Sequence, residues 1–138
     1  KERGAMTAFM TCSDVPPCAD HHIYLETGPE PLTGSTRLKA GTATKLALNI
    51  ITTTLFTKLG KVYGNLMVDL KASNSKLQDR AIRIVSTICA MDRKESALLL
   101  KESGWDVKCA IVMHSCSLPY ESAKQKLEEV GGDLRSAL

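Results

Sequence analysis

The chain has 138 residues, 43% of them hydrophobic and 24% charged, with a net charge of +3. This is the size and composition of one soluble globular domain, or a domain with an appendage, and it excludes a disordered chain. The cations are few and scattered, which argues against nucleic acid as a partner, and no apolar stretch reaches the roughly 18 residues of a membrane span.

Five cysteines without a repeating framework, and no signal peptide at the start, predict a reducing, cytoplasmic location. The chain begins at Lys1 rather than Met, in the polar lead-in K-E-R-G. We therefore expect a fragment or a processed product.

Two short strands are predicted first. Residues 5–12, A-M-T-A-F-M-T-C, suit a buried parallel strand, and residues 22–26, H-I-Y-L-E, suit a second one. Pro16 and Pro17 exclude a helix between them, whereas a parallel pair normally has a crossover of a dozen or more residues. We therefore expect offset neighbours at a sheet edge, or strands that pair with others outside this chain.

Residues 28–43, G-P-E-P-L-T-G-S-T-R-L-K-A-G-T-A, have the features of a seat for a small anion. Gly28 and Gly34 let the backbone approach a ligand, and hydroxyls beside the free N–H groups of a helix start can hold a phosphate. Arg37 and Lys39 add positive charge that opposes the helix dipole and so favours a bound anion. Glu30 is interpreted as a residue that shapes this loop rather than as a catalytic acid.

A long helix is predicted over residues 36–59, with Ser35 or Thr36 as N-cap and Gly60 as the stop. It is apolar on most faces, and helices of that kind are normally buried. Because two short strands cannot bury it, the helix predicts a sheet and neighbours that lie upstream or on another subunit.

The rest of the chain reads as helices, after a poorly readable stretch at residues 61–73 that contains the turn signal Gly64-Asn65. From Asn74 a helical stripe is predicted. Its apolar positions are Leu77, Ala81, Ile84, Val85 and Ile88, with Lys76, Arg80 and Arg83 on the solvated face.

Three short helices and a final turn follow. Asp92 and Glu95 predict a capping box, Gly104 a stop, and Asp106 the cap of a helix that turns His114 inward. Ser117 and Pro119 are predicted to open the next helix, whose inner face is Tyr120, Ala123, Leu127 and Val130 and whose stop is Gly131-Gly132. Residues 133–138 add one turn.

No metal or organic cofactor is expected. The spacing of Cys12, Cys18, His21 and His22 fits no standard zinc site. Cys109, His114 and Cys116 on one short helix are interpreted as core residues, and Trp105 as a plug for the small bundle.

Two motif runs carry a resemblance to a known family. G-P-E-P-L-T-G-S-T-R-L-K-A-G-T-A-T-K-L, followed by L-G-K-V-Y-G-N-L-M-V-D-L-K-A-S-N, resembles the N-acetylmuramic acid 6-phosphate etherases and, more distantly, the glucokinase regulatory protein. These proteins share a sugar isomerase (SIS) domain, a doubly wound α/β fold. The resemblance implies that residues 1–66 are the C-terminal part of such a parallel sheet and residues 67–138 a small all-α region. Within that region, residues 91–138 echo a ubiquitin-associated (UBA)-like three-helix module, and the chain itself should be mostly helical.

The resemblance also implies a function. The family removes D-lactate from N-acetylmuramic acid 6-phosphate with a pair of glutamates and no cofactor, giving N-acetylglucosamine 6-phosphate. Those glutamates lie upstream of this region, so no catalytic residue is expected in the chain, which alone should be inactive. Ser35, Thr36 and Arg37 match the segment that faces the sugar phosphate, with Lys39 beside it.

Two other functions stay open from the sequence. One is a non-enzymatic phosphosugar sensor that controls a protein partner, and the other is an autonomous protein-binding module at residues 91–138. The expected partners are a phosphosugar and a second copy of the protein or the missing N-terminal half, with neither nucleic acid nor membrane.

Overall fold

The computed structural model describes residues 4–138. Lys1, Glu2 and Arg3, which begin the polar lead-in and the predicted region 1–66, lie outside the described residues. The described chain contains six helices and two small sheets of two strands each. It divides into two compact units, one ending at Thr54 and the other running from Leu55 to Leu138. None of the helices within residues 4–138 combines the length and the apolar character that crossing a bilayer requires.

The first sheet pairs β1 (Ala8–Thr11) with β2 (His21–Tyr24). The two strands are direct parallel neighbours, with Ala8 opposite His21. The sequence left open whether the strands are offset neighbours or pair with strands outside this chain; they are neighbours, paired directly with each other. Each strand has four residues and is about 13 Å long, so the extended connection at residues 12–20 returns the chain without a helix.

The return is fixed at its end by Asp20. One oxygen of its carboxylate accepts hydrogen bonds from the backbone N–H and the hydroxyl of Thr7, both at 2.8 Å. The backbone N–H of His21 donates to the carbonyl of Thr7 at 3.0 Å. The hydrogen bonds between Asp20 and Thr7 thus fix the register of the two strands at their N-terminal ends.

Helix α1 (Lys39–Lys58) follows. It ends as predicted at Gly60, which has φ 65°, and the N–H of Lys61 donates to the carbonyl of Phe56 at 3.0 Å. None of its residues is buried, and Ile50 is 68% exposed. The apolar faces that predicted a buried helix are thus open within the described chain.

A β-hairpin opens the predominantly helical part of the chain. β3 (Val62–Tyr63) and β4 (Leu66–Met67) pair antiparallel around the turn Gly64-Asn65, with Gly64 at φ 59°. The turn prediction is confirmed, but the two strands were not predicted. Segments of two residues are too short to show an alternating pattern.

Helix α2 (Ser75–Cys89) begins where the helical pattern was predicted to begin, and α3 (Arg93–Glu102) begins after its predicted cap. The side chain of Asn74 accepts from the N–H of Leu77 at 2.9 Å. Asp92 and Glu95 form the predicted capping box, with the N–H of Glu95 donating to Asp92 at 2.9 Å. The apolar stripe of α2 faces the core, where Ala81, Ile84 and Val85 are buried.

Three helices complete the chain: α4 (Val107–Cys116), α5 (Tyr120–Glu129) and α6 (Leu134–Ala137). Asp106 caps α4 as predicted, and the stop at Gly131-Gly132 is confirmed by φ angles of 64° and 77°. Two expectations are wrong. Ser117 ends α4 in a left-handed conformation instead of opening α5, and His114 is exposed rather than turned inward.

The hydrophobic core lies in the unit Leu55–Leu138. Its largest fully buried side chains come from several elements: Leu100, Ile111, Leu134, Val68, Val85, Val107 and Val112. The core joins α2 and the segment after the hairpin to the four helices α3 to α6. Cys109 is buried in it, as predicted, and Trp105 packs against it. Burial, with Asp106 nearby, raises the pKa of the Cys109 thiol to about 12, so this thiol stays protonated at neutral pH.

Candidate functional site

The loop before α1 is closed by Glu30. Its carboxylate accepts hydrogen bonds from the backbone N–H of Lys39 at 2.8 Å and from that of Ala40 at 2.9 Å. These bonds, first that of Ala40 and then that of Lys39, hold the pKa of Glu30 below its ordinary value. A carboxylate at a helix start also complements the helix dipole.

This arrangement corrects the predicted helix start. The helix begins at Lys39 rather than near Thr36, and the cap comes from Glu30 instead of from Ser35 or Thr36. The first N–H groups of α1 were expected to be free for a ligand. Two of them are occupied by a side chain that lies nine and ten residues earlier in the sequence.

Residues 32–38 form consecutive turns that lead into the helix. The N–H of Ser35 donates to the carbonyl of Leu32 at 3.0 Å, and the N–H of Leu38 donates to that of Ser35 at 3.2 Å. Gly34 sits in the left-handed region at φ 82°. The turns place Ser35, half-buried, and Thr36, exposed, just before the first helical turn.

Gly41 allows this turn to close onto the helix. Its N–H donates to the carbonyl of Thr36 at 2.8 Å, and a Cβ at position 41 would lie only 3.2 Å from that oxygen. A larger side chain would push the Thr36 carbonyl away. Glycine therefore keeps Thr36 close to the helix start.

The two predicted cations have different surroundings. The ammonium of Lys39 donates to the carbonyl of Pro29 at 3.0 Å, so this side chain ties the loop to the helix. The ammonium also lies 3.6 Å from the position that a Cβ on Gly28 would take. The guanidinium of Arg37 is exposed and makes neither a hydrogen bond nor an ion pair within residues 4–138. Arg37 is therefore the cation with its donors available to a ligand.

Thr36 lines an open depression of about 520 Å³ along α1. The depression continues over Ala40, Thr44 and Leu48, with Lys45 and Asn49 at its side. Positions 36, 40, 44 and 48 recur every four residues and so share one face of a helix. The sequence contained this spacing, but Thr44, Lys45 and Asn49 were not singled out from it.

The cysteines and histidines near the strands do not assemble a metal centre. No group of three or more His, Cys, Asp or Glu side chains within residues 4–138 is placed to hold a metal ion. Cys12 instead contacts the start of α1, with its sulfur 3.8 Å from the carbonyl oxygen of Ala40. The ring of His22 packs against Phe9, with ring centroids 5.7 Å apart.

Comparison with known proteins confirms the resemblance seen in the motifs. The chain is 52% identical to the N-acetylmuramic acid 6-phosphate etherase of Synechocystis over 141 residues, which is 100% of this chain and 46% of the relative. It is 50% identical to the etherase of Crocosphaera subtropica and 48% identical to that of Trichodesmium erythraeum, again over the whole chain and 46% of each relative. The chain thus spans about half the length of the curated relatives it matches.

The helical part matches a second description. Residues 64–108 match the family described as the C-terminal lid domain of glucokinase regulatory protein. The matched range covers the end of the β3–β4 hairpin, α2, α3 and the start of α4. Both resemblances stated from the motifs are therefore found, that to the etherases over the whole chain and that to the glucokinase regulatory protein over residues 64–108.

Proposed function

We propose that this chain is the C-terminal part of a sugar-phosphate lyase that cleaves the D-lactyl ether of N-acetylmuramic acid 6-phosphate. One observation carries the proposal: identity of 48–52% to proteins named as that etherase, along the whole chain. The products would be N-acetylglucosamine 6-phosphate and D-lactate, a step in the recycling of cell-wall amino sugars in the cytoplasm. No metal or organic cofactor takes part.

In this proposal the chain supplies phosphate contacts and not the acid–base chemistry. Ether elimination needs carboxylates placed around the substrate, and the resemblance puts those glutamates upstream. Glu30 is not a candidate for that role, because both of its carboxylate oxygens are hydrogen-bonded to the start of α1. The 138-residue chain alone is therefore proposed to be inactive.

The phosphate contacts are Ser35, Thr36 and Arg37, with Lys39 in a supporting role. The backbone N–H groups of Thr36 and Arg37 have no partner within residues 4–138, and the guanidinium of Arg37 is open. Lys39 is already bonded to Pro29, which supports a structural part for it in holding the loop. Gly28, Glu30 and Gly34 shape the seat.

The architecture that goes with this function is a SIS-type sheet whose last part lies in residues 1–66. Supporting it, β1 and β2 are parallel and α1 leaves apolar side chains open that a larger sheet or a second subunit would cover. Residues 67–138 would form the lid region, with residues 91–138 as its UBA-like portion. A homodimer with the site near the subunit interface fits the same open helix.

The lyase proposal is tested with the full-length protein. We expect D-lactate to be released from N-acetylmuramic acid 6-phosphate, and none to be released by the 138-residue chain at equal concentration. A variant with the upstream glutamates changed to glutamine is the blank. Release at the level of that blank by the intact protein would overturn the proposal.

The phosphate seat is tested separately by Arg37→Ala in the full-length protein. We expect phosphosugar binding to weaken by about 1.5–3 kcal/mol, the scale of a hydrogen bond to a charged group. Lys58→Ala, which removes an exposed cation from the last turn of the same helix, is the matched control. Equal affinities of the two variants in isothermal calorimetry would place the phosphate elsewhere.

A second function is supported by the match of residues 64–108 to a lid domain of a regulatory protein. In it, the same seat binds a phosphosugar without turnover and the bound state controls a protein partner. The discriminating result is tight phosphosugar binding by the intact protein without any release of lactate. The absence of two suitably placed upstream glutamates would point the same way.

A further inference from the structure

Helix α2 carries cations along one side, Lys76, Arg80 and Arg83, which the sequence pattern assigns to the solvent. In the structure two of these cations also line a pocket. Arg80 and Arg83 line a pocket of about 340 Å³ whose other wall is the β3–β4 hairpin at Asn65, Leu66 and Met67. Every residue that lines this pocket lies in the unit Leu55–Leu138.

The pocket is cationic because its one neighbouring carboxylate is already engaged. Asp79 is the only acidic residue of α2. One of its oxygens lies 3.2 Å from Nε of Arg83, and the other is held by Arg93. Asp79 is not among the pocket-lining residues, and within residues 4–138 Arg80 makes no ion pair. One carboxylate thus faces both Arg83 and Arg93, so it offsets the positive charge of this face only in part, and Arg80 keeps its full charge.

The same contact leaves most of the Arg83 guanidinium unengaged. Asp79, four residues earlier on the helix, lies against its Nε alone, and the Arg83 side chain is 65% exposed. Its two terminal nitrogens have no partner within residues 4–138 and remain available. An arginine fork of this kind matches the oxygens of a phosphate in a bidentate manner.

The remaining lining residues add one neutral donor and an apolar floor. The hydroxyl of Thr87 donates to the carbonyl of Arg83 at 2.8 Å, so the amide of Asn65 is the neutral side-chain donor left. Ile84 is buried and Leu66 is half-buried at the base. This surface suits the carbon skeleton of a small ligand.

We propose that the pocket between Arg80, Arg83 and the β3–β4 hairpin binds the phosphate group of a small organic phosphomonoester. Arg80 and Arg83 hold the phosphate, Asn65 donates to one of its oxygens, and the organic part rests on Leu66 and Ile84. The site belongs to the helical unit and does not use Ser35, Thr36 or Arg37. It thus goes beyond the phosphate seat of the proposed lyase.

A second pocket in the same unit shows why the lack of acidic lining residues favours phosphate binding between Arg80 and Arg83. It has about 500 Å³, lies beside the turn at Gly104 and Trp105, and is lined by both Asp69 and Asp106 as well as Lys71. Carboxylates at a pocket wall repel a phosphate dianion. The pocket at Arg80 and Arg83 has no acidic lining residue.

The test is a titration of the ¹⁵N-labelled 138-residue chain with phenyl phosphate, followed by amide chemical shifts. We expect saturable shifts centred on Asn65, Met67 and residues 80–87. Benzoate carries the same ring on a carboxylate, and methyl phosphate carries the same head group without the ring. Both should bind more weakly, since one loses the phosphate and the other the apolar contact.

The double variant Arg80→Gln/Arg83→Gln should weaken phenyl phosphate at least about tenfold, which corresponds to about 1.4 kcal/mol. The matched control Lys101→Gln/Lys124→Gln removes two exposed cations elsewhere in the unit and should leave binding unchanged. Met67→Glu adds a carboxylate beside the pocket at a half-exposed position and should also weaken binding.

Equal weakening by the arginine and lysine pairs would show diffuse electrostatic attraction and overturn the proposal. Benzoate binding as tightly as phenyl phosphate would also overturn it, since the site would not recognise phosphate. Arg37→Gln distinguishes this site from the proposed lyase seat. We expect it to leave the shifts at residues 80–87 unchanged, and their loss in that variant would mean that one site had been counted as two.

Discussion

Both compact units of the chain, up to Thr54 and from Leu55 onward, contain many apolar residues, but they bury them to different extents. Within residues 4–54 no side chain is buried, whereas the second unit encloses Leu100, Ile111 and Val112 completely. The first unit carries the proposed phosphate seat and most of the open apolar helix α1, and the second carries a closed core. Apolar content alone therefore does not make a core, because each apolar face must meet a partner that the chain supplies.

The largest difference between the two units is expected when one apolar side chain in each is truncated to alanine. Leu100→Ala removes a side chain that is 0% exposed and should lower the free energy of unfolding by about 2–5 kcal/mol. Ile50→Ala removes a similar side chain that is 68% exposed on α1 and should change it by less than about 0.5 kcal/mol. Urea unfolding of the 138-residue chain, followed by circular dichroism, measures both. Equal losses would mean that α1 is packed in solution.

The helix caps give the next largest effect. Asp92→Ala removes the acceptor for the N–H groups of Lys94 and Glu95 and should cost about 1 kcal/mol of the same unfolding free energy. Asp92→Asn keeps an acceptor and should recover most of it. A loss with Asn equal to that with Ala would show that charge, and not the hydrogen bonds, makes the cap stabilising.

A smaller effect is expected at the ion pair between Lys61 and Asp69, whose charged atoms lie 2.8 Å apart and whose side chains are 40% exposed. The hydrogen bond from Lys61 is the main cause that lowers the pKa of Asp69, with Lys108 adding to it against the opposing effect of burial. Water screens such pairs, so Lys61→Met should cost only about 0.2–1 kcal/mol.

The sign of the pH effect follows from the lowered pKa. The contribution of Asp69 is complete above the ordinary carboxyl value of 3.8 and is lost as the pH falls through the lowered value. The difference between wild type and Lys61→Met, measured by urea unfolding from pH 7 downward, should therefore stay constant to about pH 4 and then shrink. A difference that grew on acidification would contradict the assignment.

The smallest effect on the free energy of unfolding is expected at Glu30, because this residue lies in the unit ending at Thr54, where no described residue is buried. Glu30→Gln should leave the unfolding free energy of the second unit unchanged while speeding hydrogen exchange of the amides of Lys39 and Ala40. The lowered pKa of Glu30 means that wild-type protection at these amides is complete above the ordinary value of 4.5 and is lost as the pH falls through the lowered value. Exchange at Lys39 that is unaffected by the substitution would show that the cap does not form.

Recognition of the helical unit from sequence works because its signals are local. Asn74, Asp92 and Asp106 each cap the helix that starts beside them, and Gly60 and Gly131 stop the helix just before them. A cap bonds to an N–H two or three residues away, so the sequence order already places the partners together. Ser117 was misplaced because a residue between two close helices can serve either one.

The candidate site depends more on contacts that sequence order does not reveal. Glu30 reaches the start of α1 from nine residues before it, and Asp20 clamps Thr7 from thirteen residues away. Arg83 and the β3–β4 hairpin meet only when the second unit folds. Arg80 and Arg83 are exposed, as the sequence pattern predicted, but that pattern could not show that the β3–β4 hairpin lies beside them.

The sequence by itself determined the resemblance to the etherases, the starts of α2, α3 and α4, the stops at Gly104 and Gly131-Gly132, and the inner faces of α2 and α5. Those features depend on residue types at fixed short spacing. Only the tertiary structure decided the cap on α1, the direct pairing of β1 with β2, the short hairpin and the pocket at Arg80 and Arg83. The physical reason is that hydrogen bonds and charges act through distance in space, and for these residues the fold brings together what the sequence separates.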